Sequence, residues 1–358
     1  MTARPFSEPS GESAWLGTSG EPLAVRYDVG LLDLDGTVYV GAEAIPGAVQ
    51  AIADATRLGL RVGYVTNNAS RPPETVVEQL RGLGLPASRD EVLTSAQAAA
   101  ALLADDLPPG SAVLVVGGAG LVEAVLACGL RPVASADDQP LAVAQGWAPE
   151  LDWRLLAEGA YALSRGLPWI ATNTDQTLPT ARGIAPGNGS FVNLLAGVVG
   201  RRPDAVAGKP YAALLTQAAR RFAALDPIVI GDRLDTDIEG GWASGLPTLL
   251  VLTGVTGVEE LMAASPRQRP TYVAADLNGL LVGHPAPTVA PEGGWACGTW
   301  RAWVGAEGRL NIGQGAGDEP SSQPFDGLRA ACAAVWSEVD AGRPAHWGDD
   351  LVAQLAVG

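Results

Sequence analysis

The chain has 358 residues, more than twice the roughly 150 of a typical domain, so two or three packed units are expected. Its 23 Lys and Arg against 39 Asp and Glu leave a formal net charge of −16, a field that repels polyanions and argues against nucleic acid or an anionic membrane as partner. With 47% apolar and 17% charged residues the composition is that of a globular protein with a sizeable core, and no run approaches the ~18 consecutive apolar residues that span a bilayer.

Residues 1–25 carry Pro5, Pro9, Ser10 and Gly11 and no basic start leading into an apolar run, so they read as a mobile tail and not as a signal peptide. From residue 26, short apolar runs alternate with helical periodicity, the mark of βα units around a parallel sheet. Strands are expected at 27–34 and 61–66, with a helix at 46–58 between them. The second strand ends in Asn67-Asn68-Ala69-Ser70, where Ser70 would cap a helix begun by Pro72 and Pro73. A helix at 95–104 follows, then strands at 112–116, 141–145 and 169–172, with a helix at 153–165 before the last. After Lys209 the pattern predicts a helix at 211–223, a strand at 228–230, a helix beyond Asp237, a strand at 248–252 and a weak βα unit at 271–281. Residues 283–294, broken by Pro285, Pro287 and Pro291, read as a linker. Beyond it, Trp295, Trp300 and Trp303 fall in a hairpin-like segment and 328–339 has helical spacing, which makes 295–358 a small α+β appendix. The fold class expected is α/β, a Rossmann-like, doubly wound parallel sheet.

Cys128, Cys297 and Cys332 are odd in number, far apart and not in metal-ligand spacing, which fits a reducing cytoplasm. The two histidines, His284 and His346, lie in loop-like sequence, so carboxylates become the default acids and bases. Asp33-Leu34-Asp35-Gly36-Thr37 sits at the carboxyl end of an apolar strand, where open α/β sheets bind ligands. Alternation along an extended chain sends Asp33 and Asp35 to the same side. One of two such acids can stay ionised beside a metal while the other is kept protonated for donation. Gly231-Asp232-Arg233-Leu234-Asp235-Thr236-Asp237 again follows an apolar strand, so Asp232 can converge on the first pair. Oxygen donors with room for water suit Mg2+. Of the 23 cationic residues, 22 are Arg, and Lys209 is the only lysine. A single Lys retained within Gly-Lys-Pro points to a site where a compact point charge fits and a planar fork does not.

The motifs Asp33-Leu34-Asp35-Gly36-Thr37, Thr66-Asn67-Asn68, Gly208-Lys209-Pro210 and Gly231-Asp232-Arg233-Leu234-Asp235-Thr236-Asp237, in this order, resemble the haloacid-dehalogenase superfamily of phosphatases. The Thr-Asn-Asn form and the long insertion before Lys209 resemble its type IIA cap subclass. Pro186-Gly187-Asn188-Gly189-Ser190 and the C-terminal appendix are closest to the actinobacterial glycerol 3-phosphate phosphatases. The resemblance covers residues 26–282 strongly and the appendix weakly. It implies a core of 26–95 and 206–282, a cap at 96–205 that covers the core site, and a linker at 283–294. It further implies that Asp33 is the nucleophile forming an aspartyl-phosphate and that Asp35 protonates the leaving alkoxide and then activates water. Mg2+ would be held by Asp33, the main-chain carbonyl of Asp35 and Asp232, with Asp237 behind them, and Thr66, Asn67, Asn68 and Lys209 would bind phosphate. In the cap, Asn173, Asp175, Leu178 and Arg182 are candidates for substrate contact. Leu178 stands where the pyridoxal phosphatases have a His, which favours a small substrate over an aromatic one. Gly117-Gly118-Ala119-Gly120 reads as a cap turn.

The expected activity is hydrolysis of small polyol or glycolytic-type phosphate esters, glycerol 3-phosphate first among them. A nucleotide, sugar-phosphate or phosphoglycolate phosphatase of the same chemistry is the rival, and a non-catalytic phosphate sensor is disfavoured because Asp35 and Asp232 are both present. The appendix resembles an acetyltransferase fragment too short for a whole acyl-CoA site, so a packing or dimerisation role is expected there. A homodimer through the cap or the C-terminal domain is thus one reading of its surfaces.

Overall fold

The computed structural model describes residues 16–180, 182–314 and 325–356. They divide into two compact units, one comprising the residues up to Val62 and those from Ala224 onward, the other Gly63–Ala223.

In the first unit the strands Tyr272–Ala274, Thr248–Val251, Pro227–Gly231 and Val29–Leu32 lie side by side in that order, all parallel. Each is buried along its whole length. That is why the sequence shows continuous apolar runs there instead of alternation, since a parallel sheet is covered on both faces. The helix Ala48–Arg57 turns Ala48, Ala51, Ile52 and Ala55 inward, a stripe at helical spacing.

Of the residues expected as a mobile tail, 1–15 lie outside the described residues. From Leu16 the chain is held: the Gly17 amide donates to Thr271 O (2.8 Å), Ser19 and His284 exchange main-chain bonds, and Leu23–Arg26 forms a helical turn with Leu23 buried. The Pro, Ser and Gly content of the segment hid two apolar anchors, Leu16 and Leu23.

The stretch read as a linker contributes a strand, Thr288–Val289, to a four-stranded antiparallel sheet completed by Trp295–Cys297, Trp300–Val304 and Leu310–Gln314. The helix Asp326–Asp340 lies over it. Leu328, Ala331, Val335 and Trp336 join Leu250, Leu261, Met262 and Val273 in a single apolar cluster, so the appendix shares a core with the parallel sheet. Polar bonds pin the same junction: Arg269 makes a two-point pair with Asp340 (2.7 and 2.8 Å) and Trp336 Nε1 donates to Met262 O. Arg329 donates to Asp326 (2.9 Å), to Val273 O (2.9 Å) and to His284 Nδ1 (3.3 Å). The other ring nitrogen of His284 meets Gly279 O at 2.8 Å, so the neutral ring, protonated at Nε2, satisfies both contacts.

Burial, aided by the Arg329 charge, lowers the His284 pKa to about 4. The folded value lies below the unfolded one, near 6.5, so the unfolded chain binds the extra proton between them. The stabilisation is therefore complete above about pH 6.5 and is lost as pH falls toward 4. Urea unfolding of the wild type should lose up to about 3 kcal/mol more over that window than His284→Gln, the difference cancelling the carboxylate titrations common to both. Equal pH slopes in the two proteins would show that the ring is not held neutral.

The strand Arg61–Thr66 carries the chain into the second unit, where it pairs in parallel with Val92–Thr94. Thr94 then caps the helix Ser95–Asp106 reciprocally with Gln97, a capping box. Five further strands form a parallel sheet in the order Ala205–Val206, Trp169–Ala171, Ala142–Gln145, Ala112–Val116, Arg131–Val133. Helices Trp153–Ser164 and Asn188–Val199 bury Leu156, Leu163, Val192 and Leu195 among Leu114, Val116 and Trp169. The glycine run at 117–120 opens the helix Ala119–Ala127. The segment after Asp175, read as a loop, contains a two-stranded hairpin, Thr177–Thr180 with Gly183–Pro186.

Candidate active site

Two clusters of polar side chains are the candidates for chemistry, one in each unit. In the first unit, Asp33 follows the strand Val29–Leu32, and its amide still donates to Ile230 O on the neighbouring strand (2.8 Å). Asp232 follows that neighbour, Pro227–Gly231. Because Leu32 and Ile230 are in register, the two acids leave the same end of the sheet side by side, as the apolar runs before them predict. Asp237 arrives differently. The short π-helical turn Leu234–Ile238 lets the Arg233 amide donate to Asp237 Oδ2 (3.1 Å), which folds the carboxylate back toward the strand end. Carboxylate oxygens of Asp33, Asp232 and Asp237 all lie within 4.8 Å of one another.

Asp232 and Asp237 are fully buried, at 0% exposure. Asp232 is oriented by the Val255 amide, which donates to Oδ2 (2.7 Å), and by the Thr37 hydroxyl near Oδ1 (3.4 Å). Gly36, in the left-handed region at φ +89°, passes so close that a Cβ there would sit 2.5 Å from Asp232 Oδ2, and one on Gly254 would sit 2.0 Å away. Neither position tolerates a side chain. The carboxylates of Asp35 and Asp235 are not in the cluster: Asp35 is exposed on the turn ahead of Tyr39, and Asp235 is exposed and paired with Arg233. Three carboxylates this close, two of them out of water, repel one another and are costly without a cation. The donor set is oxygen only, which fits a hard divalent ion such as Mg2+.

In the second unit Lys209 is 2% exposed, and its ammonium donates to Val65 O (3.3 Å). Thr66 ends the strand with its hydroxyl oxygen accepting from the Asn68 amide (3.1 Å), which leaves the hydroxyl its own proton to donate. Asn68 Oδ1 accepts from the amide and hydroxyl of Ser70 (3.0 and 2.9 Å). Ser70 therefore closes this loop and does not cap the next helix, which runs Pro73–Gly82 after Pro72. Asn67 reaches Lys209 and Asp175, while its carbonyl accepts from Ser95 Oγ (2.6 Å) and Asn173 Nδ2 (2.8 Å). Asn173 Oδ1 accepts from the Asp175 amide, so both ends of its amide are engaged. The structure thus brings Asn173 and Asp175 to the Asn67–Lys209 cluster. Leu178 and Arg182 lie on the hairpin beyond, Leu178 opposite Ala185 and Arg182 exposed.

Sequence reasoning missed the Val255 amide, the Thr37 hydroxyl and the Ser95 anchor. Thr37 stands within the Asp-Leu-Asp-Gly-Thr motif, so a signal existed for it. An amide donor carries none.

Residues 30–131 match the haloacid dehalogenase-like hydrolases and residues 206–280 a HAD-hydrolase-like family. The chain belongs to the haloacid dehalogenase-like hydrolases. It is 43% identical over 324 residues to the D-glycerol 3-phosphate phosphatase of Mycobacterium tuberculosis, spanning 88% of this chain and 87% of that protein. A crystal structure of glycerol phosphate phosphatase from the same organism, in complex with magnesium, matches with a TM-score of 0.82 and 41% identity over 94% of this chain and 98% of that one. The acid sugar phosphatase of Staphylococcus saprophyticus is 36% identical over 258 residues, 72% of this chain and 97% of that protein. The expected fold class, a Rossmann-like core with an inserted α/β segment and a C-terminal α+β appendix, therefore holds.

Proposed function

We propose that the protein is a Mg2+-dependent phosphomonoesterase that hydrolyses glycerol 3-phosphate through an aspartyl-phosphate on Asp33. The observation that carries the chemistry is the Asp33–Asp232–Asp237 cluster at the strand ends, with Asp232 and Asp237 buried and Asp33 half-buried. The substrate rests on the 43% identity to the mycobacterial enzyme over 88% of the chain, a span longer than the 72% shared with the acid sugar phosphatase.

Asp33 attacks phosphorus and the P–O bond to the alcohol breaks, while Asp35 gives its proton to the departing alkoxide. In the second half, Asp35 takes a proton from water, whose oxygen attacks the same phosphorus and releases inorganic phosphate and the Asp33 carboxylate. Splitting the displacement in two calls for this nucleophile and this reversible proton carrier. A carboxylate approaching a phosphate dianion is opposed electrostatically, so Lys209 and the Thr66 hydroxyl offset charge on the phosphoryl oxygens. Asp33, the Asp35 carbonyl and Asp232 would hold Mg2+, with Asp237 behind them, and the ion would add two positive charges where negative charge builds. Residues 96–205 serve as the cap, with Asn173, Asp175, Leu178 and Arg182 setting specificity, and the apolar Leu178 suits a small polyol.

We also propose a cytoplasmic location. The three cysteines are unpaired, burial pushes the Cys297 thiol up to about 12 and raises Cys332 as well, and none needs an oxidising compartment. Among the described residues no helix is long and apolar enough to cross a membrane. A homodimer through the cap or the C-terminal domain belongs to the same proposal, and light scattering of the purified chain decides it.

The test of substrate is a panel of glycerol 3-phosphate, sugar phosphates, phosphoglycolate and nucleoside monophosphates, each with Mg2+ and with EDTA. Glycerol 3-phosphate should lead by at least about 10-fold in kcat/KM, and EDTA should stop every reaction. A sugar phosphate in first place would move the protein to the rival reading, and no phosphate release from any ester would make it a phosphate-binding protein.

A further inference from the structure

The two amide ends of Asn67 are already engaged, and their partners differ from those a phosphate ligand would need. Oδ1 accepts from the main-chain amide of Lys209 (2.8 Å), and Nδ2 donates to the main-chain carbonyl of the same residue (2.9 Å). Nδ2 also faces both carboxylate oxygens of Asp175 (3.3 and 3.2 Å). A primary amide has two donor protons, and the Lys209 carbonyl and the Asp175 carboxylate take both. Asn67 is itself fixed, because its carbonyl accepts from Ser95 and from Asn173. Gly208 permits the close approach: a Cβ there would lie 2.6 Å from Asn67 Oδ1.

We infer that Asn67 is a positioning residue that sets where the Lys209 ammonium stands by gripping the Lys209 peptide at both its amide and its carbonyl, and that its side chain gives no hydrogen bond to the phosphate. Two bonds to one residue fix the position and direction of its Cα, from which the long, flexible lysine side chain departs. A small rotation there moves the ammonium by a large fraction of an ångström, and catalysis is steep in such displacements. Asp175, drawn to the same amide, ties the end of the strand Trp169–Ala171 to this grip.

The inference rests on the phosphatase reading for its effect on turnover but not for its effect on the lysine, and this separates the two. Lys209 is the only lysine in the chain, so protein labelled with [13Cε]lysine shows a single ε-methylene correlation. That signal can be read with Mg2+ and inorganic phosphate present or absent, and without turnover.

In Asn67→Ala and in the isosteric Asn67→Asp, which loses both donor protons and meets Asp175 with like charge, the lysine correlation should shift and broaden. With glycerol 3-phosphate, kcat should fall about 10- to 100-fold while KM changes less than about threefold. In a Lys209→Met background the same Asn67 substitutions should cost less than about threefold, since their effect passes through the lysine. Asn67→Asp keeps the shape and carries the test if the alanine variant does not fold. An unchanged lysine correlation, or losses that multiply in the double variants, would overturn the inference in favour of a direct phosphate contact. If Lys209→Met alone leaves turnover intact, the phosphatase role of Lys209 falls, and the lysine correlation still decides whether Asn67 grips it.

Discussion

Asp33→Asn is expected to abolish turnover and, in metal-free buffer, to raise the melting temperature. The amide keeps the shape and one oxygen of the carboxylate, so the strand end and the Ile230 bond survive, but it is a poor nucleophile. Loss of a covalent nucleophile costs at least about 10^4-fold in kcat. Stability moves the other way. Asp33 shares a space of 4.8 Å with two carboxylates that are fully buried, and like charges so placed oppose folding until a cation joins them. Removing one of the three should recover on the order of 1 kcal/mol. It should also shrink the upward shift of the melting point that Mg2+ produces in the wild type, because binding to the native state alone is what stabilises. Melting curves at increasing Mg2+, run beside a phosphate-release assay, check both halves. A variant that retained more than about 1% of wild-type turnover would end the covalent mechanism. An unchanged metal-free melting point would mean that Asp33 adds no charge to the cluster.

The placement of Asp33 and Asp232 was legible because it is local. Each follows a fully apolar parallel strand, and adjacent strand ends in such a sheet converge whatever lies between them in sequence. What orients them was not legible, because it comes from afar. The Val255 amide bonds Asp232 from 23 positions away, and main-chain donors have no residue code. Asp237 enters the cluster only because Leu234–Ile238 winds as a π-helical turn, a choice that spacing alone does not reveal.

Asn67 shows the same limit more sharply. Its motif marks it as belonging near the phosphate, yet what its amide does is settled by Lys209, 142 residues later. The appendix reads similarly: its helix was visible from periodicity and is found at Asp326–Asp340. The strand Thr288–Val289 was hidden among prolines, because an edge strand of two residues needs only its neighbour's hydrogen bonds and no pattern of its own.

Lys209→Arg is expected to leave the protein folded and to reduce kcat about 100- to 1,000-fold, although the charge is kept. At 2% exposure and with its ammonium against Val65 O at 3.3 Å, the residue has room for a compact head. A guanidinium is a planar fork with five donors. Seated in the same place, it must either push the buried end of the strand Arg61–Thr66 or leave donors unsatisfied out of water, at about 1–3 kcal/mol for each such group. The cheaper outcome is a retreat of the charge from its post, which preserves the fold and forfeits stabilisation of the transferring phosphoryl group. Composition supports this, since all 22 other cationic positions are Arg and the lysine survives where the compact head is needed. Measured beside Lys209→Met, the arginine variant should recover little of the activity lost with the charge, which would show that position and not charge alone is required. Turnover in Lys209→Arg within about threefold of wild type would show that any cation serves at that position, and the presence of a lone lysine would then say nothing about the reaction.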